Sequence, residues 1–163
     1  MLSGGIPAIQ ADQWYGTGND TLWPRPGHPT LLVWFSHDFP QFATLRRLRA
    51  RYGARGLDIV FTTSTQGYFR NLPMPVPTVE ADSLGSYVTR FLKLPGGLAV
   101  EITRFNHTAD GRRRNELTQN LKFFDKMGGV VFVDAKGIVR WIGEVTPRTE
   151  ATWDAVIQTA LAQ

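Results

Sequence analysis

The sequence predicts an α/β domain whose central mixed β-sheet is flanked by helices. Three patterns carry that reading: a continuous apolar run, Thr30-Leu-Leu-Val-Trp-Phe35, followed at once by residues of helical period; a second apolar run at 57–63; and two short apolar runs joined by a glycine-containing turn at 129–142. An unbroken apolar strand is one covered on both faces, so the first run is the expected centre of the sheet. The chain of 163 residues is long enough to close its own core, and 1–163 is read as a single domain.

In chain order, residues 1–29 form a loop-rich lead-in: Gly4-Gly5, Pro7, Gly16, Gly18, Pro24, Pro26-Gly27 and Pro29 punctuate it, with Ile6, Ile9, Trp14, Leu22 and Trp23 available for short strands. After the central strand, Phe42, Leu45, Leu48 and Tyr52 recur at three and four residues, predicting a helix over 39–54 with Pro40 in its first turn and Gly53 and Gly56 at its end. The run at 57–63 then completes a parallel strand-helix-strand unit. Residues 72–78 are too proline-dense for helix or central strand and read as an extended connection. Asp82 or Ser83 caps a helix carrying Leu84, Tyr87, Val88, Phe91 and Leu92, stopped by Pro95-Gly96-Gly97. A strand is expected at 98–105, an irregular insertion around 105–117, and a further helical pattern at 117–126. The runs at 129–134 and 138–142, joined by Ala135-Lys-Gly137, are an antiparallel hairpin. Thr146-Pro147 reads as an N-cap with proline in the first helical position, opening a helix that buries Trp153, Val156, Ile157, Ala160 and Leu161.

Composition excludes whole classes of chemistry. The chain contains no cysteine, so it has no disulfide, no thiolate nucleophile and no cysteine zinc site. No apolar run approaches the length of roughly 18 residues that a membrane span needs. With neither a basic n-region nor an apolar h-region after Met1, the reading is cytoplasmic unless an N-terminal leader has been removed. The formal charge of +4 comes from 18 Lys+Arg against 14 Asp+Glu, interspersed as on an ordinary surface, and a nucleic-acid partner is not predicted. Gly4-Gly5, Gly96-Gly97 and Gly128-Gly129 lack the spacing and the Lys-Ser/Thr of a phosphate loop, so no nucleotide cofactor is implied.

The segment Leu31-Leu-Val-Trp-Phe-Ser-His-Asp-Phe-Pro-Gln-Phe-Ala-Thr-Leu-Arg-Arg-Leu48 resembles the active-site region of the thioredoxin-like superfamily, in particular bacterial thiol:disulfide oxidoreductases of the cytochrome-maturation (TlpA-like) and peroxiredoxin-related group. There a buried strand ends in Phe-Ser-x-Asp-Cys-Pro-x-Cys and leads into the first helix. Arg51-Tyr-Gly-Ala-Arg-Gly-Leu-Asp-Ile-Val60, the hairpin Val131-Phe-Val-Asp-Ala-Lys-Gly-Ile-Val139, and Gly5-Ile-Pro7 with Trp14 resemble the family's neighbouring segments. The resemblance spans nearly the whole chain and implies a thioredoxin-like fold. Carried over by position, it places Phe39 and Phe42 on the two cysteines, with Pro40 and Gln41 between them. It also places Gly128 on the family's cis-proline, six residues before Asp134.

Both thiols and the cis-proline are thus absent, and the resemblance carries the fold without the activity. A helix N-terminus favours a thiolate through its aligned amides, whereas a phenyl ring gains nothing from that field and offers apolar area instead. The rings of Phe39 and Phe42 then either fold inward and fill the old site, present an apolar patch to a partner, or line a small-molecule pocket. His37-Asp38 is the adjacent polar pair at the mouth of that site. Its roles are acid/base chemistry or capping of the helix, and capping is the simpler. His28, His37 and His107 show no metal-ligand spacing, so no metal is expected. The arginines of the first helix and Arg112 to Arg114 read as solvated faces rather than a phosphate or acidic-protein site. The expected function is a redox-inactive module with a protein partner, a structural or interaction subunit of a larger assembly. The competing readings are an enzyme that uses His37 and Asp38, and an altered form of an oxidoreductase that had cysteines at 39 and 42.

Overall fold

The computed structural model describes residues 13–15, 27–34, 42–64, 86, 96–101 and 130–162. These contain six strands, β1 (Gln13–Tyr15), β2 (Thr30–Trp34), β3 (Asp58–Ser64), β4 (Gly97–Glu101), β5 (Val130–Val133) and β6 (Val139–Gly143), and two helices, α1 (Phe42–Tyr52) and α2 (Glu150–Leu161). The strands form one sheet in the order β1-β4-β3-β2-β5-β6. β2 runs parallel to β3 and β3 to β4, while β1–β4, β2–β5 and β5–β6 are antiparallel. The sheet is mixed, and the apolar run at 30–34 lies inside it between β3 and β5, where Leu31, Leu32 and Val33 are all buried.

Period-2 alternation sorts the sheet residues onto two faces. On one, Leu31, Val33, Ile59, Phe61, Val130 and Phe132 pack with Leu45, Leu48 and Tyr52 of α1 and with Trp153 and Ile157 of α2. On the other, Leu32, Val131 and Val133 form a second cluster with the partly buried Trp14, Val60, Val139 and Ile142. The continuous apolar composition of β2 and β5 thus has a direct cause, since each feeds both clusters. α1 buries its Leu45, Leu48 and Tyr52 stripe as the helical period requires. The chain then tightens into a 3₁₀ turn at Gly53–Arg55, and Gly56 closes it by donating its N–H to the Gly53 carbonyl at 3.1 Å.

The start of α2 differs from the sequence expectation. Thr146 does accept the Thr149 amide on its hydroxyl, at 3.3 Å, but the Thr149 N–H also bonds the Thr146 carbonyl at 3.1 Å. The backbone therefore closes into a turn at 146–149, Pro147 sits in that turn, and the regular helix opens at Glu150 after Thr149. The Thr149 hydroxyl donates to the Glu144 carbonyl at 2.8 Å, which anchors the turn to the end of β6. Of the predicted helix at 84–92, Ser86 is described, in helical conformation. The expected connection at 72–78, the insertion around 105–117 and the helical pattern at 117–126 lie outside the described residues, as do 39–41 and 102–105 at the ends of two predicted elements. No helix among the described residues is long and apolar enough to cross a membrane.

Candidate functional site

In an open α/β sheet, ligands and chemistry gather at the carboxyl ends of the parallel strands, where helices begin. Here that place is the end of β2 and the first turn of α1. His37, Asp38, Phe39, Pro40, Gln41 and Gly128, together with His107, lie outside the described residues. Phe42 is the first residue of α1. It is partly buried and packs against the core cluster beneath α1, its ring centroid 6.1 Å from that of Phe61 on β3 at an interplanar angle of 59°. That tilted spacing is the one aromatic quadrupoles favour. The Arg46 guanidinium carbon lies 6.0 Å from the centroid of the same ring, a cation–π arrangement. α1 has no acidic residue in its first turn, so Phe42 and Arg46 set the character of this helix start.

A latch between α1 and α2 lies on the same face of the sheet. Arg47 and Arg51 are one turn apart on α1, Glu150 and Asp154 one turn apart on α2, and the two pairs face each other. Arg47 grips Glu150 through Nε at 3.0 Å and Nη2 at 2.8 Å; Arg51 pairs with both Glu150 and Asp154. The Tyr52 hydroxyl donates to Asp154 at 2.6 Å and accepts from Gln158 Nε2 at 3.1 Å. Hydrogen bonds from Arg47, then Arg51, hold the Glu150 carboxyl below its ordinary range, and burial pushes the Tyr52 hydroxyl up, reinforced by Asp154. A mutual network of this kind orients helices more effectively than isolated surface pairs. Two of the arginines that the sequence placed on a solvated face are therefore committed to α2. Arg49 is tied to the Leu57 carbonyl at 3.0 Å, and Arg55 lies over the Tyr52 ring.

The hairpin carries a third cluster. Asp134 is buried, and its Oδ1 accepts the amides of Lys136 at 2.8 Å and Ile138 at 3.0 Å, while Oδ2 accepts Arg140 Nε at 2.6 Å. Gly137 completes the turn at φ +82°, a left-handed conformation that side chains resist. Burial alone would raise the Asp134 carboxyl, but the two amides and Arg140 outweigh it and the net direction is down. A carboxyl depressed in the folded state contributes stability above its unfolded value, and that contribution is lost as pH falls through the folded value. Asp134→Asn keeps an oxygen for the two amides but turns an NH₂ toward Arg140. It is expected to lose about 1–3 kcal/mol at neutral pH. The gap to the native chain should narrow as pH falls below the ordinary carboxylate range and on through the depressed folded value, where the native carboxyl protonates as well. Urea unfolding at pH 7 and pH 3 checks this; a gap that widens on acidification would contradict it.

The sequence marked Asp134 only as a hairpin residue and gave Arg140 no role. The signal for the latch was present, as i, i+4 arginines and i, i+4 acids, but nothing local says that these helices adjoin. Among the described residues no group of three or more His, Cys, Asp or Glu side chains could hold a metal ion.

No family model matches the sequence, and no curated protein matches it at a significant level. Solved structures do. A thioredoxin-like superfamily protein superposes with a TM-score of 0.62 at 14% identity, over 98% of this chain and 97% of that one. A putative thiol:disulfide interchange protein DsbE from Chlorobium tepidum gives 0.55 at 16%, over 99% and 98%. A thioredoxin peroxidase from Plasmodium yoelii gives 0.55 at 12%, over 99% and 90%. Likeness over almost the full length at such low identity establishes the architecture, and the chain has the thioredoxin-like fold, carried by a sequence without a single cysteine.

Proposed function

We propose that this chain is a redox-silent thioredoxin-like module that works by binding another protein, as an interaction or structural subunit. The observation that carries this reading is the pairing of a thioredoxin-like fold with a complete lack of thiols. Thiol exchange and peroxide reduction both need a thiolate that none of these residues supplies. Phe42 supports the reading from the side of stability. Packed on Phe61 and covered by Arg46, it anchors the first turn of α1 to the sheet. In this reading Phe42 keeps the helix start in place and Phe39, three residues earlier, contributes to the contact surface.

The test is reconstitution of a complex. The tagged chain is purified from its native host, a co-purifying protein is identified by mass spectrometry, and the pair is rebuilt from separately purified components. Phe39→Ser is expected to weaken that complex at least about tenfold with an unchanged melting temperature. Phe42→Ser should instead lower stability by about 1–3 kcal/mol through loss of a partly buried ring. Absence of any stoichiometric complex would overturn the module reading. A complex indifferent to Phe39→Ser would move the interface away from the old active site.

A further inference from the structure

β6 lies at one end of the sheet order, paired with β5. The register between them is interrupted: Phe132 pairs with Trp141 and Val133 with Val139, so Arg140 is an inserted residue. Such a bulge re-aims side chains. Val139 and Ile142 both pack into the cluster on the far face of the sheet. Trp141 pairs with Phe132, a member of the cluster under α2, and Arg140 lines a groove with Ala155, Val156, Thr159 and Ala160 of that helix. Two consecutive residues of β6 are thereby turned to the α2 side.

The groove has a volume of about 360 Å³. Among the described residues, its walls are Arg140 on β6 and, on α2, Ala155, Val156, Ala160 and Thr159, whose hydroxyl is already donated to the Ala155 carbonyl at 2.8 Å. The exposed positions of α2, Ala151, Thr152, Ala155, Gln158 and Thr159, carry no charge, because Glu150 and Asp154 are turned onto α1. A surface helix ordinarily exposes charges. The exposed charged side chains of this edge are Lys136 and Arg140 on the hairpin, whose own carboxylate, Asp134, is buried against Arg140, and Glu144 just after β6. Asp134 holds Arg140 by Nε alone. A guanidinium fixed in this way can direct its two terminal nitrogens at a second carboxylate. Trp141, 43% exposed, adds aromatic area on the same side.

We infer that the groove between β6 and α2 docks an extended acidic segment of a partner protein, with an aliphatic side chain against Ala155, Val156 and Ala160 and an adjacent carboxylate on the free edge of Arg140. The bulge interrupts the regular ladder, so recognition runs through these side chains rather than by simple addition of a strand. This rests on the module reading above and names a surface for it.

The probe is the peptide acetyl-Ala-Leu-Asp-Ala-amide, with acetyl-Ala-Leu-Asn-Ala-amide as its uncharged match, titrated into the ¹⁵N-labelled full chain up to about 5 mM in low salt. The aspartyl peptide is expected to shift the signals of Arg140 Nε–H, Ala155 and Thr159 and to bind about tenfold tighter than the asparaginyl one. Arg140→Gln should erase the difference. Because that change also touches Asp134, Ala155→Glu serves as the second variant. It lies on the exposed side of α2, adds a repelling charge to the groove, and should abolish binding with the melting temperature unchanged. Equal binding of the two peptides, persistence of binding in Ala155→Glu, or no shift at these residues would each overturn the assignment. If the complex rebuilt from the native host survives Ala155→Glu, the module reading stands and this surface is not its interface. If no complex forms with the native chain, the module reading itself fails.

Discussion

Gly96→Ala is expected to destabilise the protein by about 3 kcal/mol or more. A Cβ built on Gly96 falls 1.9 Å from the Ile59 carbonyl oxygen and 2.8 Å from its carbon. Both are backbone atoms of β3, whose next residue, Val60, pairs with Gly97 at the start of β4. No rotamer change relieves such a clash, so either β4 is pushed off β3 or the pairing of Val60 with Gly97 is lost. The melting temperature should fall by about 6–12 °C. Gly53→Ala is the matched control. The nearest atoms to its Cβ belong to the Arg49 side chain, at 3.0 Å from Nε, which can yield by loosening its bond to the Leu57 carbonyl, and the change should stay within about 1 kcal/mol. Equal melting temperatures for the two variants would show that β4 does not approach β3 as described.

Trp153→Ala should cost about 3–5 kcal/mol. Among the described residues Trp153 is the largest fully buried side chain, in the cluster that α2 shares with α1 and the sheet, and its indole N–H donates to the Glu144 carbonyl at 2.8 Å. Truncation removes the ring's dispersion contacts and leaves a cavity that the flanking Leu and Ile side chains cannot fill. Trp153→Phe keeps most of the apolar area and loses the hydrogen bond, so its cost should be nearer 1–2 kcal/mol. Chemical denaturation of both variants separates packing from hydrogen bonding. A Phe variant as damaged as the Ala variant would assign the dominant role to the bond with Glu144.

The contrast between these two sites shows what was legible in the sequence. Trp153 stood out there because Trp153, Val156, Ile157, Ala160 and Leu161 recur at helical spacing, and a helix with one apolar stripe must bury it. Gly96 read only as a helix stop beside Pro95; its contact with Ile59 joins segments far apart in the chain. The candidate site divides in the same way. The absence of thiols was visible in the composition, because the absence of a residue type needs no coordinates. The seating of Phe42 on Phe61 was not, because the facing residue comes from β3.

The sequence by itself determined the order of the described elements, the doubly covered central strand, the hairpin turn at Gly137 and the exclusion of thiol chemistry. Each follows from local period, from a backbone conformation that one residue type tolerates, or from composition. Only the tertiary structure decided that Arg47 and Arg51 close on Glu150 and Asp154, 103 positions along the chain, that the chain turns at Pro147 before α2 begins, and that a bulge sets Arg140 beside α2. Periodicity fixes which face of an element is buried. Which charged or polar groups then meet depends on how separate elements are stacked, and that is set by the packing of the whole sheet and its helices.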